Sequence, residues 1–176
     1  DFQNRDLAFE SNQPNPWYYE MQEIGWNYRI PDVLCALGIS QLKKLEGFWR
    51  RRMEIAALYD RLLAPLAPVI RPVPHGARPH GWHLYAVLID FKALGTTRKA
   101  VMEWLRGRGV GTQVHYIPVH RQPYYRERYG SLDLPGADAY YSRCLSLPMF
   151  PSMSDDDVTR VAEALTELAA SGAGKK

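Results

Sequence analysis

The stretch Gly25-Trp26-Asn27-Tyr28-Arg29-Ile30-Pro31-Asp32 stands directly before the longest helical pattern in the chain. Pro31 suits the first turn of a helix, where its missing N–H would have no partner anyway, and Asp32 adds the negative charge that a first turn favours. The free N–H groups and the positive dipole end of a helix attract anions. We therefore predict that Asn27, Tyr28 and Arg29 serve an anionic ligand at the start of this helix.

One apolar face runs along the predicted helix from Asp32 to about Leu63. Its apolar or small residues recur in steps of three and four, at Leu34, Gly38, Leu42, Leu45, Trp49, Met53, Ala56, Tyr59 and Leu63. At about 1.5 Å per residue the helix would span roughly 45 Å, more than the core of one small domain. We predict that it links two domains, or a domain and a subunit interface, with Arg50–Arg52 on its solvated side.

Beyond Pro65 the pattern changes to short strands and helices. We predict an extended piece over Val69–Val73, strands over 82–90 and 110–117, a helix capped by Thr96 or Thr97, short helices within 122–143, and a last helix opened by a Ser154–Asp157 capping box. Few parallel crossovers are evident in this order. The predicted fold class is therefore α+β, a small sheet covered by helices and reached through one long helix.

The overall composition favours a globular domain and argues against several classes of partner. Of 176 residues, 46% are hydrophobic, and the formal net charge of +3 is too small to indicate nucleic-acid binding. No apolar run approaches the ~20 residues that span a bilayer. Two cysteines, Cys35 and Cys144, are typical of a reduced, cytoplasmic setting. The chain starts in polar sequence without a methionine, so we expect it to begin partway through a longer protein.

Several side chains could carry chemistry, and each has an alternative structural role. The segment 113–120 places two imidazoles and a phenol together, which suits a polyol or phosphate ligand but also a packed structural loop. His80 and His83 with His115 or His120 could bind zinc, although their spacing is loose and we expect no metal. Cys144 could act as a nucleophile, but its apolar surroundings favour a buried thiol. The aromatic run 17–19 suits either packing or ligand contact.

An ordered series of motifs resembles one known family. The motifs are Trp17-Tyr18-Tyr19-Glu20-Met21, the stretch 25–32, Ala36–Leu45, Trp82-His83-Leu84-Tyr85, Gly109–His120, Gln122-Pro123-Tyr124-Tyr125 and Leu145–Pro151. Together they resemble the second half of the DegT/DnrJ/EryC1/StrS nucleotide-sugar aminotransferases over about residues 1–168. Within that family they are most similar to the branch that aminates a UDP-linked 4-keto-6-deoxy-N-acetylhexosamine in pseudaminic acid biosynthesis.

The resemblance implies a pyridoxal-phosphate enzyme of the aspartate-aminotransferase fold that works as a cytoplasmic homodimer, with glutamate as amino donor and a UDP-sugar as acceptor. It implies that Asn27 reaches the cofactor phosphate of the neighbouring subunit. It further implies that Arg29 and Tyr28 contact the nucleotide sugar, and that His115, Tyr116 and, less directly, His120 line its pocket. A guanidinium fork suits a diphosphate, and a neutral amide suits a phosphate already neutralised by helix N–H groups.

The same resemblance implies a division of the chain. Residues 1–31 would be the tail end of the cofactor-binding large domain, 32–64 the long linking helix, 65–170 the C-terminal small domain and 171–176 a disordered tail. The lysine that forms the Schiff base would be absent, because none of the six lysines lies in the family's lysine motif: Lys43, Lys44, Lys92, Lys99, Lys175 and Lys176. We therefore predict that this chain alone is inactive, and the alternative is a stand-alone sugar-nucleotide binding or dimerisation module.

Overall fold

The computed structural model describes residues 2–25, 29–76 and 80–173, with side chains through Ser171. The described part is α+β, as predicted. Its helices are α1 Arg5–Ala8, α2 Asp32–Leu42, α3 Leu45–Leu63, α4 Arg98–Arg106, α5 Pro123–Tyr129, α6 Pro135–Arg143 and α7 Asp155–Ala173. Its strands are β1 Phe9–Glu10, β2 Gln13–Pro14, β3 Ile70–Pro72, β4 Tyr85–Ile89 and β5 Cys144–Leu147, and short 3-10 turns lie at Ala64–Leu66 and Val119–Arg121.

The main sheet has three antiparallel strands in the order β3-β4-β5. The central strand β4 pairs Ile89 with Ile70 of β3 and Tyr85 with Leu147 of β5. Four of its five residues are buried, which is what a strand covered on both faces requires. The predicted strand over 82–90 is therefore confirmed only for its second half, where the β-branched and apolar residues lie.

Helices α3 and α7 pack on each other and supply much of the core. Ile55, Tyr59 and Leu63 of α3 and Val158 and Leu165 of α7 are fully buried. The predicted capping box at the start of α7 is confirmed: Asp157 N–H donates to Ser154 Oγ at 3.1 Å, and Ser154 N–H donates back to Asp157 Oδ2 at 2.9 Å. Thr97 caps α4 as predicted, accepting from the Ala100 N–H.

The long helix predicted over 32–64 is two helices. The chain leaves α-helical hydrogen bonding at Lys43 and Lys44, where the Lys44 N–H donates three residues back to the Gln41 carbonyl. Neither proline nor glycine stands at the break. The two helices differ in burial, because α3 packs into the core whereas no residue of α2 is buried. One apolar periodicity therefore covers two elements with different surroundings.

The predicted strand over 110–117 is wrong. Its residues form an irregular segment joined to the sheet at one position, where the Gln113 N–H donates to the Ser146 carbonyl at 3.2 Å and the Ser146 N–H donates to Gln113 at 2.7 Å. Val114 and Ile117 are buried and Tyr116 is exposed, so the alternating pattern that indicated a strand does not hold. Tertiary contacts of single residues, and not a ladder, hold this segment.

Residues 2–25 form a lead-in that contains the short helix α1 and the strands β1 and β2. Strands β1 and β2 make a hairpin whose two turn residues, Ser11 and Asn12, have φ of 50° and 61°, as a type I′ turn requires. Trp17 is buried, and the Arg98 guanidinium lies 5.4 Å from its ring centre. The aromatic run therefore contributes packing through Trp17, while Tyr19 remains 45% exposed.

Within the described ranges, no helix combines the length and the apolar character needed to cross a bilayer.

Candidate functional site

His115 is fixed from two sides. Its ring Nδ1 lies 2.9 Å from the hydroxyl of Ser146 on β5, and the Tyr140 hydroxyl of α6 donates to the His115 carbonyl at 3.1 Å. Ser146 is buried and would be left without this partner if the ring were removed. The sheet and α6 therefore hold the imidazole in one orientation, which is the preorganisation that a ligand-binding ring needs.

The surroundings of His115 favour the neutral form of its ring. Burial lowers the pKa of His115, and the nearby His83 lowers it further. A neutral imidazole offers one donor and one acceptor without a fixed charge. This state suits hydrogen bonding to sugar hydroxyls or phosphate oxygens, as predicted from residue type.

Tyr116 is the exposed member of the pair. Its side chain is 56% exposed, and its ring stands nearly perpendicular to that of His115 with the centroids 4.6 Å apart. Burial raises the pKa of Tyr19, with a contribution from the neighbouring Tyr116 phenol. The lead-in also contacts the chain shortly after this pair, where the Met21 N–H donates to Gln122 Oε1 at 2.7 Å.

His120 faces the interior and not this surface. Its side chain is only 8% exposed, and its Nε2 lies 3.4 Å from Asp138 Oδ1 on α6. The Arg121 Nε reaches the same carboxylate oxygen at 2.8 Å, at an angle that makes the contact ionic and not an aligned hydrogen bond. The contacts of His120 therefore tie the 119–121 turn to α6.

The first predicted stretch is only partly described. Asn27 and Tyr28 lie outside the described residues. Arg29 is exposed and precedes α2, which begins at Asp32 with Pro31 as its N-cap instead of its first helical residue. The position of these three residues relative to His115 therefore remains a prediction.

Two supporting residues escaped the sequence-based prediction. Ser146 and Tyr140 orient His115, whereas His83, which the sequence offered only as a zinc ligand and motif residue, contributes to the lowered pKa of His115. Only Ser146 left a signal in the sequence, because it is the one polar residue of the apolar strand β5. Tyr140 is recognised only once the fold brings α6 beside His115.

A sizeable groove lies elsewhere. An open groove of about 970 Å³ runs between the start of α3, Trp82 and Pro151, and its lining includes Lys43, Lys44 and Trp49. Of the predicted ligand-binding residues that the structure describes, none lines it, although His83 of the zinc alternative does. Its lining combines aromatic side chains with exposed basic ones, so it is an open surface groove and not a site defined by convergent polar groups.

The remaining candidates show no reactive arrangement. Cys144 is 1% exposed, and burial raises the pKa of its thiol, so it is an unreactive buried sulfhydryl. Among the described side chains, no three His, Cys, Asp or Glu residues group closely enough to hold a metal ion. Lys43, Lys44 and Lys92 are exposed, and the Lys99 amine lies 3.3 Å from the Glu10 carbonyl. The described residues thus fit one polar wall of a site and not the lysine-bearing cradle of a pyridoxal cofactor.

Comparisons of this chain with known proteins all indicate the same family. The profile of the DegT/DnrJ/EryC1/StrS aminotransferase family matches residues 5–166. The spore coat polysaccharide biosynthesis protein SpsC of Bacillus subtilis is 43% identical over 155 residues, which cover 86% of this chain and 40% of SpsC.

Solved structures agree. PseC of Helicobacter pylori, an aminotransferase involved in the biosynthesis of pseudoaminic acid, superposes with a TM-score of 0.74 at 28% identity over 95% of this chain and 44% of PseC. DesI, solved in the presence of its TDP-sugar product, superposes with a TM-score of 0.68 at 31% identity over 78% of this chain and 35% of DesI. The chain thus spans less than half the length of each of these relatives.

Proposed function

The chain belongs to the DegT/DnrJ/EryC1/StrS aminotransferase family, and on this premise we propose that it is the C-terminal part of a sugar aminotransferase. The proposed enzyme transfers an amino group from glutamate, through pyridoxal phosphate, to C4 of a UDP-linked 4-keto-6-deoxy-N-acetylhexosamine. The observation that carries the proposal is the neutral, fixed imidazole of His115 beside the exposed Tyr116 phenol. The likeness to PseC supports the pseudaminic acid branch.

In the proposed enzyme, the residues of this chain bind and orient the cofactor phosphate and the nucleotide sugar. Asn27 donates to the cofactor phosphate across the boundary of a homodimer, and Tyr28 and Arg29 hold the nucleotide sugar. His115 and Tyr116 hydrogen-bond the sugar hydroxyls, while His120, through Asp138, supports their loop. When bound, pyridoxal phosphate supplies the electron sink for moving the amino group. The anchored orientation of His115 limits the entropy lost when the sugar binds.

The domain assignment is part of the proposal. Residues 65–170 form the small domain, 32–64 link it to the large domain, and 1–31 belong to the tail of the large domain. The exposed apolar side chains of α2, including Val33, Leu37 and Leu42, support a linking element that other protein surface covers. Two free cysteines accord with a cytoplasmic setting.

The test uses the full-length protein that contains this chain. We expect glutamate-dependent amination of the UDP-4-keto sugar, detected by mass spectrometry, and a cofactor absorbance band at the violet edge of the visible spectrum. Arg29→Met should raise the KM for the UDP-sugar about tenfold or more, since charge-assisted hydrogen bonds contribute about 1.5–3 kcal/mol each. Arg50→Met, on the solvated side of α3, is the matched control and should leave KM unchanged.

Binding experiments on the isolated chain distinguish this proposal from the alternative of a stand-alone module. We propose that the isolated chain forms no stoichiometric covalent bond with pyridoxal phosphate at one lysine, so borohydride reduction should leave no adduct confined to a single lysine. UDP-sugar binding by the isolated chain, without amination by the full-length protein, would favour a stand-alone binding or dimerisation module. A reduced cofactor adduct at one specific lysine would contradict the proposed inactivity of the segment.

A further inference from the structure

Both backbone polar groups of Met21 are held by one distant loop. The Met21 N–H donates to the side-chain oxygen of Gln122 at 2.7 Å, and the Met21 carbonyl accepts from the Tyr124 N–H at 3.1 Å. Gln122 is 5% exposed and, with Ser146, is one of two polar side chains buried among the described residues. A buried amide with one backbone partner 101 residues away is a costly arrangement to build and a specific one.

The local sequence explains why this loop can hydrogen-bond to both backbone groups of one residue. Gln122 closes the 3-10 turn 119–121, and Pro123 opens α5. The Tyr124 N–H lies in the first turn of α5, where a helix offers no internal acceptor. This N–H and the Gln122 side chain therefore face outward together, one as donor and one as acceptor, and they match the two groups of a single residue.

These two hydrogen bonds involve only the backbone of Met21, whatever its side chain. They therefore fix the path of the main chain at this residue. Asn27 follows Met21 by six residues in the sequence, and an extended chain of that length reaches at most about 22 Å. Anchoring Met21 therefore limits the reach of the chain that follows it. The same loop carries His115 and Tyr116 shortly before Gln122.

We propose that Gln122 is a positioning residue that holds the lead-in, through the backbone of Met21, against the loop that follows His115 and Tyr116. The two hydrogen bonds of Met21 to residues 122 and 124 support this, because they hold the lead-in against the loop that follows His115 and Tyr116. The effect of Gln122 on cofactor and substrate binding rests on the proposed function. The anchoring of Met21 by Gln122 rests on the hydrogen bonds alone.

The structural part is tested by hydrogen exchange on the chain itself. The Met21 amide should be protected at least about tenfold more than the amides of Glu23 and Ile24, which have no backbone acceptor among the described residues, since a lost hydrogen bond of about 1.4 kcal/mol corresponds to a factor of ten. Equal exchange of these amides in the wild-type chain would overturn the proposal without any variant.

The variant Gln122→Met keeps the length of the side chain and removes the amide oxygen. It should accelerate exchange in a peptide covering residues 20–31 about tenfold and leave a peptide covering 98–106 unchanged. Gln122→Glu retains an acceptor and should restore protection. The matched control is Tyr59→Phe, which removes an equally buried hydrogen bond to the Pro148 carbonyl and should not change exchange at 20–31.

The catalytic part is tested in the full-length enzyme. Gln122→Met should weaken cofactor affinity and raise the KM for the UDP-sugar, each about tenfold, with less effect on kcat, whereas Tyr59→Phe at equal thermal stability should change neither. Identical kinetics for the two variants would overturn the positioning role. A wild-type enzyme that is inactive but has a protected Met21 amide would instead count against the proposed function. It would leave the hydrogen bonds between Met21 and the Gln122 loop supported.

Discussion

Protonation of His115 makes the stability of the folded chain depend on pH. Its pKa in the folded chain lies below its ordinary value of 6.5, chiefly because of burial and then because of His83. The unfolded chain therefore binds a proton more readily than the folded chain. The resulting stability is present above pH 6.5 and is lost as the pH falls from there through the folded pKa.

We expect the free energy of unfolding in urea to be lower at about pH 5.5 than at about pH 7.5, and His115→Gln should reduce this difference. Tyr140→Phe is the control, because it removes the hydrogen bond to the His115 carbonyl but leaves the imidazole in place. It should lower stability by a similar amount at both pH values. An unchanged pH dependence in His115→Gln would contradict the assignment.

Neighbouring arginines on α3 differ in what they stabilise. The Arg52 guanidinium donates to the carbonyls of Trp82, His83 and Met149, at 3.3, 3.0 and 3.1 Å, and so joins three separate segments. Arg50 pairs only with Glu46 on the solvent side of the same helix. The expectation that the whole arginine run is solvated therefore holds for Arg50 but not for Arg52.

Arg52→Met should lower the free energy of unfolding by about 2–3 kcal/mol, because it leaves three carbonyls without their charged donor. Arg50→Met should cost less than about 0.5 kcal/mol, because exposed ion pairs contribute little. Urea denaturation of both variants measures the contrast. Equal losses would mean that the Arg52 contacts do not hold the segments together.

At the scale of elements, α2 and α3 share an apolar periodicity but not an environment. All the large apolar side chains of α2 are exposed, whereas α3 buries Ile55, Tyr59 and Leu63. An eleven-residue helix that buries none of its residues is marginal in water. Its stability therefore depends on a covering surface.

We expect Leu37→Ala to change the free energy of unfolding of the isolated chain by no more than about 0.5 kcal/mol, whereas Ile55→Ala should cost about 2–5 kcal/mol. Urea denaturation compares the two. A loss above about 1 kcal/mol for Leu37→Ala would show that α2 is packed in solution.

At the scale of the whole molecule, α2 exposes five large apolar side chains, and a groove beside α3 is lined by Trp49 and Trp82. Exposed apolar surface of this kind favours association. We expect the isolated chain to self-associate, with sedimentation coefficients that rise with protein concentration. The double variant Leu34→Glu with Leu42→Glu should sediment as a monomer, and Arg50→Met should behave as wild type. A wild-type chain that stays monomeric at high concentration would contradict the prediction.

The sequence by itself determined the features that depend on neighbouring residues. These are the α+β class, the Thr97 cap, the Ser154–Asp157 capping box, the apolar strand β4 and the ordered motifs that assign the family. Each follows from periodicity, capping or motif order within a few residues. The pairing of an imidazole and a phenol at His115 and Tyr116 was also visible from residue type.

Only the tertiary structure decided which of these side chains face the candidate site. His120 turns inward to Asp138, the 110–117 segment is held by Ser146 instead of forming a strand, and Gln122 grips Met21 from 101 residues away. The break between α2 and α3 likewise follows no local signal. Such features arise from contacts between distant segments, whose free energy outweighs local propensity, and no window of neighbouring residues contains both partners.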